Sequence, residues 1–142
     1  MSRFSHLHPP TTYACHHKTL IVLKHFTFVC DNRIYFSDDH YIDLEDHPYT
    51  LDIELYATTD TQGIAVDFHQ IDQIYHQYLE PLLEGQLLND TLPVMNTTAE
   101  NIAYWAWLRF EKYLPQVVQL NTLTLYEIPE QGIKLTRSIM AQ

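Results

Sequence analysis

The chain has 142 residues, 46% of them hydrophobic, and a formal charge of −10. This length indicates a single domain and the composition excludes a disordered chain, while the acidic balance excludes the basic face of a nucleic-acid-binding protein. No apolar run is long enough to span a membrane, so we expect neither a nucleic-acid nor a membrane partner. Cys15 and Cys30 are too few for a disulfide framework, which favours a reduced, cytoplasmic protein.

The first 18 residues contain four histidines and two adjacent prolines, without the apolar core of a signal peptide. We interpret residues 1–18 as an N-terminal extension, either mobile or packed on a neighbour. A single domain is predicted over residues 19–142.

The next segments predict strands. Thr19 to Phe36 is rich in β-branched and aromatic residues and free of Gly and Pro, which indicates one strand or a bent strand pair. Ser37 to Asp46 carries five carboxylates and is predicted to be a loop. Tyr49 to Thr58 alternates apolar and polar residues, as a half-buried strand does.

Two helices follow. Asp67 has the side chain of a helix N-cap, and Pro81 lies near the end of the apolar stripe that follows it. A second helix is predicted to start at Thr97 or Thr98, with a capping box behind Thr97, and to end at Pro115.

Gln116 to Ile128 and Gly132 to Arg137 predict a closing hairpin. The order of elements is then strand, strand, helix, helix, strand, strand. It indicates an α+β fold with a four-stranded antiparallel sheet and both helices on one face.

Short motifs recur in a fixed order along the chain: Phe26-Thr27-Phe28, Gly63 to Phe68, Leu88-Asn89-Asp90, Thr98 to Asn101 and Tyr126-Glu127. Their order and spacing resemble those of the 6-pyruvoyl- and 6-carboxytetrahydropterin synthases, a zinc-dependent family of pterin-forming lyases. The resemblance runs from about residue 20 to residue 136. It implies the tunnelling fold and a role in pterin or queuosine metabolism.

The resemblance also implies a homo-oligomer. Subunits of the family join their sheets edge to edge into a barrel, and two such rings usually stack. An open four-stranded sheet has two exposed edges, which a closed ring removes. We therefore expect a ring of subunits.

The family holds its zinc with three histidines, and those positions fall here on Asn32, Glu45 and His47. Only one imidazole remains, and a neutral amide is a poor zinc ligand. If the strands pair as in the family, Cys30, Glu45 and His47 could still converge as a thiolate, carboxylate and imidazole set. The alternative is that Cys30 is a small buried hydrophobic residue and Glu45 a surface acid. Zinc is thus possible, and no cofactor is assigned.

The family's catalytic residues are replaced as well. No Cys occupies the position of its nucleophile, and Tyr41 falls at or near that place. Glu84 falls at the position of the Asp of the family's Asp–His pair, but no His follows it. Cys30 and His40 remain as other chemically active side chains. Whether the chain is an enzyme stays open at this point.

Glu127 is the site residue that the resemblance preserves. In the family this carboxylate accepts hydrogen bonds from the amino group and ring N–H of the pterin, a match of two acceptors to two donors. Thr98 matches the family's Thr-x-Glu and is a second ligand-binding candidate. The alternatives are an exposed strand-end acid and a helix cap, respectively.

Three hypotheses follow. In the first, the chain is a degenerate homologue that binds a pterin or purine-like ring through Glu127 without the zinc and Cys chemistry. The second is an active synthase or lyase with a rebuilt centre, and the third is a structural or regulatory subunit that binds no small molecule.

Overall fold

The structure, a computed structural model, describes residues 2–11 and 14–142. Its four strands form one antiparallel sheet in the order of the chain. The strands are β1 (Thr19–Ser37), β2 (His40–Thr58), β3 (Val118–Ile128) and β4 (Gln131–Thr136). The helices are α1 (Phe68–Tyr78), α2 (Glu80–Leu83), α3 (Leu88–Thr91), α4 (Ala99–Tyr113) and α5 (Arg137–Met140).

The two faces of the sheet differ in burial. One, the helix-side face, packs against the helices and carries buried residues such as Phe28, Cys30, Tyr49 and Leu51. The other, the open face, carries His25, Thr50, Asp52 and Tyr126, which keep contact with solvent. Burial of each large apolar side chain on the helix side stabilises the fold by about 1.5–3 kcal/mol. This division confirms the predicted α+β arrangement.

The prediction of a loop over Ser37 to Asp46 is wrong. Only Asp38 and Asp39 form the turn, and β2 begins at His40. Cross-strand partners explain how an acidic segment stays extended, because the Arg33 guanidinium pairs with Asp43 across the hairpin.

The helix boundaries follow local chemistry. The Asp67 side chain accepts a hydrogen bond from the His69 N–H, which caps α1 as predicted. A new short helix, α2, begins after α1, with Pro81 in its first turn, where a missing N–H costs nothing. The cap of α4 is Thr98, whose hydroxyl accepts from the Asn101 N–H, so the predicted capping box behind Thr97 does not form.

The outer edge of β1 is divided into two parts. Between Val29 and Tyr35, side chains and a loop occupy its backbone groups: Glu84 accepts from the Val29 N–H, and the amides of Asn89 and Asn96 bond both backbone groups of Arg33 and Tyr35. Between Thr19 and Phe28, no described residue bonds this outer edge. None of the helices in the described ranges is both long and apolar enough to cross a membrane.

Candidate functional site

A β-bulge in β2 decides which candidate residues meet. Cys30 pairs with His47 and Asn32 pairs with Leu44, so Glu45 and Asp46 together oppose Asp31. Asp46 has a φ of 45°, a left-handed conformation that is uncommon outside glycine, and its N–H donates to the Asp31 side chain over 2.7 Å. One extra residue reverses the alternation of side chains, which places His47 on the helix-side face and Glu45 on the open face.

On the helix-side face, Asn32 is the centre of a buried polar network. Its side chain is 1% exposed, and its Nδ2 donates to the Tyr49 hydroxyl at 3.1 Å and to the Thr97 carbonyl at 2.9 Å. The network joins β1, β2 and the segment before α4. The amide at this family zinc position therefore acts as a structural crosslink.

Cys30 lies beside this network and is 2% exposed. Burial raises the pKa of its thiol to about 12, and the nearby carboxylates of Asp31 and Glu84 add to the effect. A thiol that stays protonated at neutral pH is a poor nucleophile and a poor metal ligand. The environment supports the interpretation of Cys30 as a core residue.

His47 is partly buried, and its ring lies edge-on to Tyr49 with centroids 4.8 Å apart. Its Nε2 lies 2.5 Å from the backbone carbonyl oxygen of Glu127. A carbonyl only accepts hydrogen bonds, so Nε2 carries the proton in this contact.

Glu127 lies at a second irregularity, near the end of β3. Tyr126 pairs with Gly132 and Ile128 with Gln131, which leaves Glu127 without a partner in the ladder. The residue is half-buried, and one carboxylate oxygen accepts from the Gln131 side chain at 3.2 Å. Bulges of this kind re-aim side chains, often next to binding sites.

Electrostatics connects Glu127 to the buried network. Burial is the main cause that raises the pKa of the Tyr49 hydroxyl, its hydrogen bond with Asn32 opposes the rise, and the charges of Cys30 and Glu127 contribute further increases. The Glu127 carboxylate is the smallest of these causes. Asn32, Tyr49 and His47 contact one another in turn, and His47 joins them to the backbone of Glu127.

The open face near the hairpin tip has a different character. The Arg33 guanidinium stacks 3.8 Å above the Tyr41 ring and makes two hydrogen bonds with Asp43, of 2.6 and 3.0 Å. These bonds lower the pKa of the Asp43 carboxyl. Glu45 lies in the same region, in a cleft of about 340 Å³. Tyr41 is therefore engaged with Arg33 and does not join the site around Glu127.

The donors at the family's zinc positions do not fit a zinc ion. The amide of Asn32 donates to protein groups, the bulge places Glu45 on the opposite face from His47, and His47 already donates to a carbonyl. Within residues 2–11 and 14–142, no group of three or more His, Cys, Asp or Glu side chains is arranged to hold a metal. The bulge is why the set of Cys30, Glu45 and His47 does not converge, since the prediction assumed a regular strand.

The other candidates have local roles. Thr98 caps α4, and Glu84 accepts the Val29 N–H at 2.9 Å on the outer edge of β1. The His40 ring lies at the hairpin turn, 5.5 Å from the ring of Phe36. None of these contacts reaches Glu127.

Sequence reasoning missed Tyr49, Thr97 and Gln131. Tyr49 was detectable, because it follows His47 by two residues in a strand and so shares its face. Thr97 and Gln131 reach the site through the loop before α4 and the β3–β4 turn. Their part depends on tertiary packing.

Comparisons with known proteins agree with this fold. The family model described as 6-pyruvoyl tetrahydropterin synthase matches residues 21–138. The chain is 30% identical over 108 residues to the dihydroneopterin monophosphate aldolase of Pyrococcus furiosus, a match that covers 72% of this chain and 92% of the relative.

Solved structures support the fold alone, because their identities are low. The 6-pyruvoyl tetrahydropterin synthase of Caenorhabditis elegans has a TM-score of 0.71 at 16% identity, with 85% of this chain and 97% of that chain covered. A Plasmodium vivax 6-pyruvoyltetrahydropterin synthase, in which a catalytic glutamate is replaced by cysteine, has a TM-score of 0.64 at 15% identity, with 84% and 98% covered. The tunnelling fold expected from the motifs is thereby confirmed for the subunit. The chain belongs to the 6-pyruvoyl tetrahydropterin synthase family.

Proposed function

We propose that this chain binds a pterin or purine-like ring at Glu127 and works in pterin metabolism without the zinc and cysteine chemistry of its family. The observation that carries the proposal is the geometry of Glu127. The residue is half-buried, lies in a bulge at the family's pterin-binding position, and accepts a hydrogen bond from His47 at its backbone carbonyl.

In the proposed complex, the Glu127 carboxylate faces the edge of the ligand ring that carries adjacent hydrogen-bond donors. The amino group and ring N–H of a pterin or guanine can each donate to one carboxylate oxygen. Hydrogen bonds to a charged group contribute about 1.5–3 kcal/mol each. Gln131 occupies one oxygen of Glu127 in the present structure, so ligand binding would displace or share that bond.

Thermal shift with a matched control tests the proposal. A pterin or guanine should raise the melting temperature of the wild type once its concentration exceeds the dissociation constant. Glu127→Gln should abolish most of that rise, because the amide loses the charge and presents an NH₂ to a donor edge. Glu45→Gln makes the same change on the open face and should leave the rise intact. If no pterin or purine shifts the wild type at millimolar concentration, the non-binding scaffold becomes the better hypothesis.

Metal content tests the second half of the proposal. Protein purified without a His tag is expected to hold well below one zinc per chain, because only His47 provides an imidazole at a family ligand position. One tightly held zinc per chain that is lost in His47→Ala would contradict this.

Turnover should be low for the same reason. Conversion of dihydroneopterin triphosphate is expected to be negligible, since a missing positioned acid or base alone costs about 10²–10⁴-fold in rate. Robust conversion that Cys30→Ser abolishes would show a relocated nucleophile.

A second candidate is a lyase acting on a phosphorylated dihydropterin. It is favoured by the 30% identity to an enzyme named dihydroneopterin monophosphate aldolase. The relative from Plasmodium vivax has a catalytic glutamate, so a carboxylate can serve in catalysis on this fold. An aldolase cleaves a carbon–carbon bond and releases an aldehyde. Trapping that aldehyde from dihydroneopterin monophosphate, with Glu84→Gln and Glu45→Gln compared with wild type, separates this candidate from a pure binding protein.

The open part of the β1 edge supports a ring of subunits. Only residues 19–28 of that edge lack partners among the described residues, so β4 of another copy would have to pair there. The backbone N–H of Val29 points to the outer edge, and N–H groups alternate in direction along a strand. The N–H of Leu23, six residues earlier in the same regular register, therefore also faces outward. Leu23→Pro removes this donor and should shift light scattering from oligomer to smaller species. A monomeric wild type at micromolar concentration would contradict the assembly.

A further inference from the structure

We propose that His47, at a position where the family has a zinc ligand, is a positioning residue that holds the bulge of Glu127 in its binding conformation. The proposal rests on the proposed function, because it concerns how the carboxylate is presented to a ligand. It differs from a metal role in the atom that acts: the Nε2–H of His47 donates to the Glu127 backbone carbonyl.

The end of the β2–β3 ladder explains why such a contact is needed. Regular pairing between these strands stops at Thr50 and Tyr126. On the other side, the β3–β4 pairing skips Glu127. Glu127 therefore has no register partner in either neighbouring ladder, and the imidazole of His47 supplies a cross-strand partner for its carbonyl.

Side chains of the core fix the position of the His47 imidazole. The ring lies edge-on to Tyr49, and the Tyr49 ring stacks on Phe28 at 5.2 Å. The Tyr49 hydroxyl accepts from Asn32, which is anchored to Thr97. The buried side chains form a rigid support, so His47 has one orientation and can set the position of Glu127.

The contact gives the imidazole a partner within the protein. The ring packs on Tyr49, which is hydrogen-bonded to Asn32, and its Nε2 proton is directed at the Glu127 carbonyl. The imidazole is retained at this family ligand position, but its partner is the backbone carbonyl of Glu127.

Two substitutions separate the hydrogen bond from the bulk of the side chain. His47→Phe keeps the ring against Tyr49 and removes the donor, whereas His47→Gln keeps a donor amide and removes the ring. Binding of a pterin, measured by calorimetry, is expected to weaken about five- to tenfold in His47→Phe and by no more than about twofold in His47→Gln. An equal loss in both variants would overturn the assignment to the donor.

A double-mutant cycle distinguishes positioning from general stabilisation. If His47 acts through Glu127, His47→Phe should have no further effect on the residual pterin affinity of Glu127→Gln. A fully additive effect would show that the imidazole contacts the ligand or acts elsewhere, and would overturn the proposal.

The ligand-free protein gives an independent test, which remains valid if no pterin binds. Nitrogen-15 NMR of the histidine rings, with His47 assigned by its loss in His47→Phe, is expected to show the Nε2–H form. The backbone amide of Gln131, next to the bulge, should exchange with solvent faster in His47→Phe. An Nδ1–H form, a zinc-bound imidazole, or unchanged exchange of Gln131 would each contradict the proposal, while a lack of pterin binding alone would contradict only the proposed function.

Discussion

The helix-side and open faces of the β1–β2 hairpin carry similar polar side chains in opposite surroundings. On the helix side, Asn32 and Tyr49 are buried and bonded to each other. On the open side, Arg33 and Asp43 form an ion pair with side chains 39% and 49% exposed. The bulge at Glu45 separates the two groups along β2.

The difference shows that spacing along a strand does not fix which side chains meet. Glu45 and His47 are two residues apart, as ligands on one face of a regular strand would be. The bulge inserts one residue and places them on different faces. Of these two potential ligands, His47 therefore lies on the helix-side face and Glu45 lies in the cleft of the open face.

The largest contrast is expected in thiol reactivity. Cys30 is buried, and burial raises the pKa of its thiol to about 12, so the thiol stays protonated in the native protein at pH 8. Cys15 is exposed. A thiol reagent at pH 8 should modify Cys15 rapidly and Cys30 only after unfolding. Rapid labelling of Cys30 in the native protein, identified by mass spectrometry, would revive it as a nucleophile.

The next contrast is in stability. Asn32→Ala leaves the Tyr49 hydroxyl and the Thr97 carbonyl short of a buried partner, and should lower the free energy of unfolding by about 3 kcal/mol. Glu45→Ala on the open face should change it by less than about 0.5 kcal/mol. Urea unfolding at one fixed protein concentration measures both. Similar losses in the two variants would mean that the faces do not differ as described.

The smallest effect is expected from the ion pair of the open face. Arg33 lowers the pKa of Asp43 below its ordinary 3.8. A lowered folded-state pKa adds stability above pH about 4, and this stability is lost as the pH falls through the folded-state value. Arg33→Gln should therefore shift the urea midpoint slightly at pH 6, and by less as the pH falls through the folded-state pKa of Asp43. A difference that grows toward low pH would have the wrong sign for this pair.

Much of the fold was predictable from periodicity and caps. The alternation in β2, the Asp67 cap and the apolar stripe of α4 each reflect local rules that hold without knowledge of neighbours. The segment from Ser37 to Asp46 was not predictable in this way. Its carboxylates indicate a loop until a paired strand supplies Arg33 as a partner.

The sequence by itself determined the family and the order of the four strands and the two long helices, because motif order and periodicity are properties of the chain. Tertiary structure decided which side chains work together. The bulge at Glu45 and Asp46 depends on pairing with β1, and the bond from His47 to Glu127 joins residues 80 positions apart. Contacts of that kind are created by strand register and helix packing, which is why the linear pattern suggested a metal set and the folded chain forms a hydrogen-bonded support.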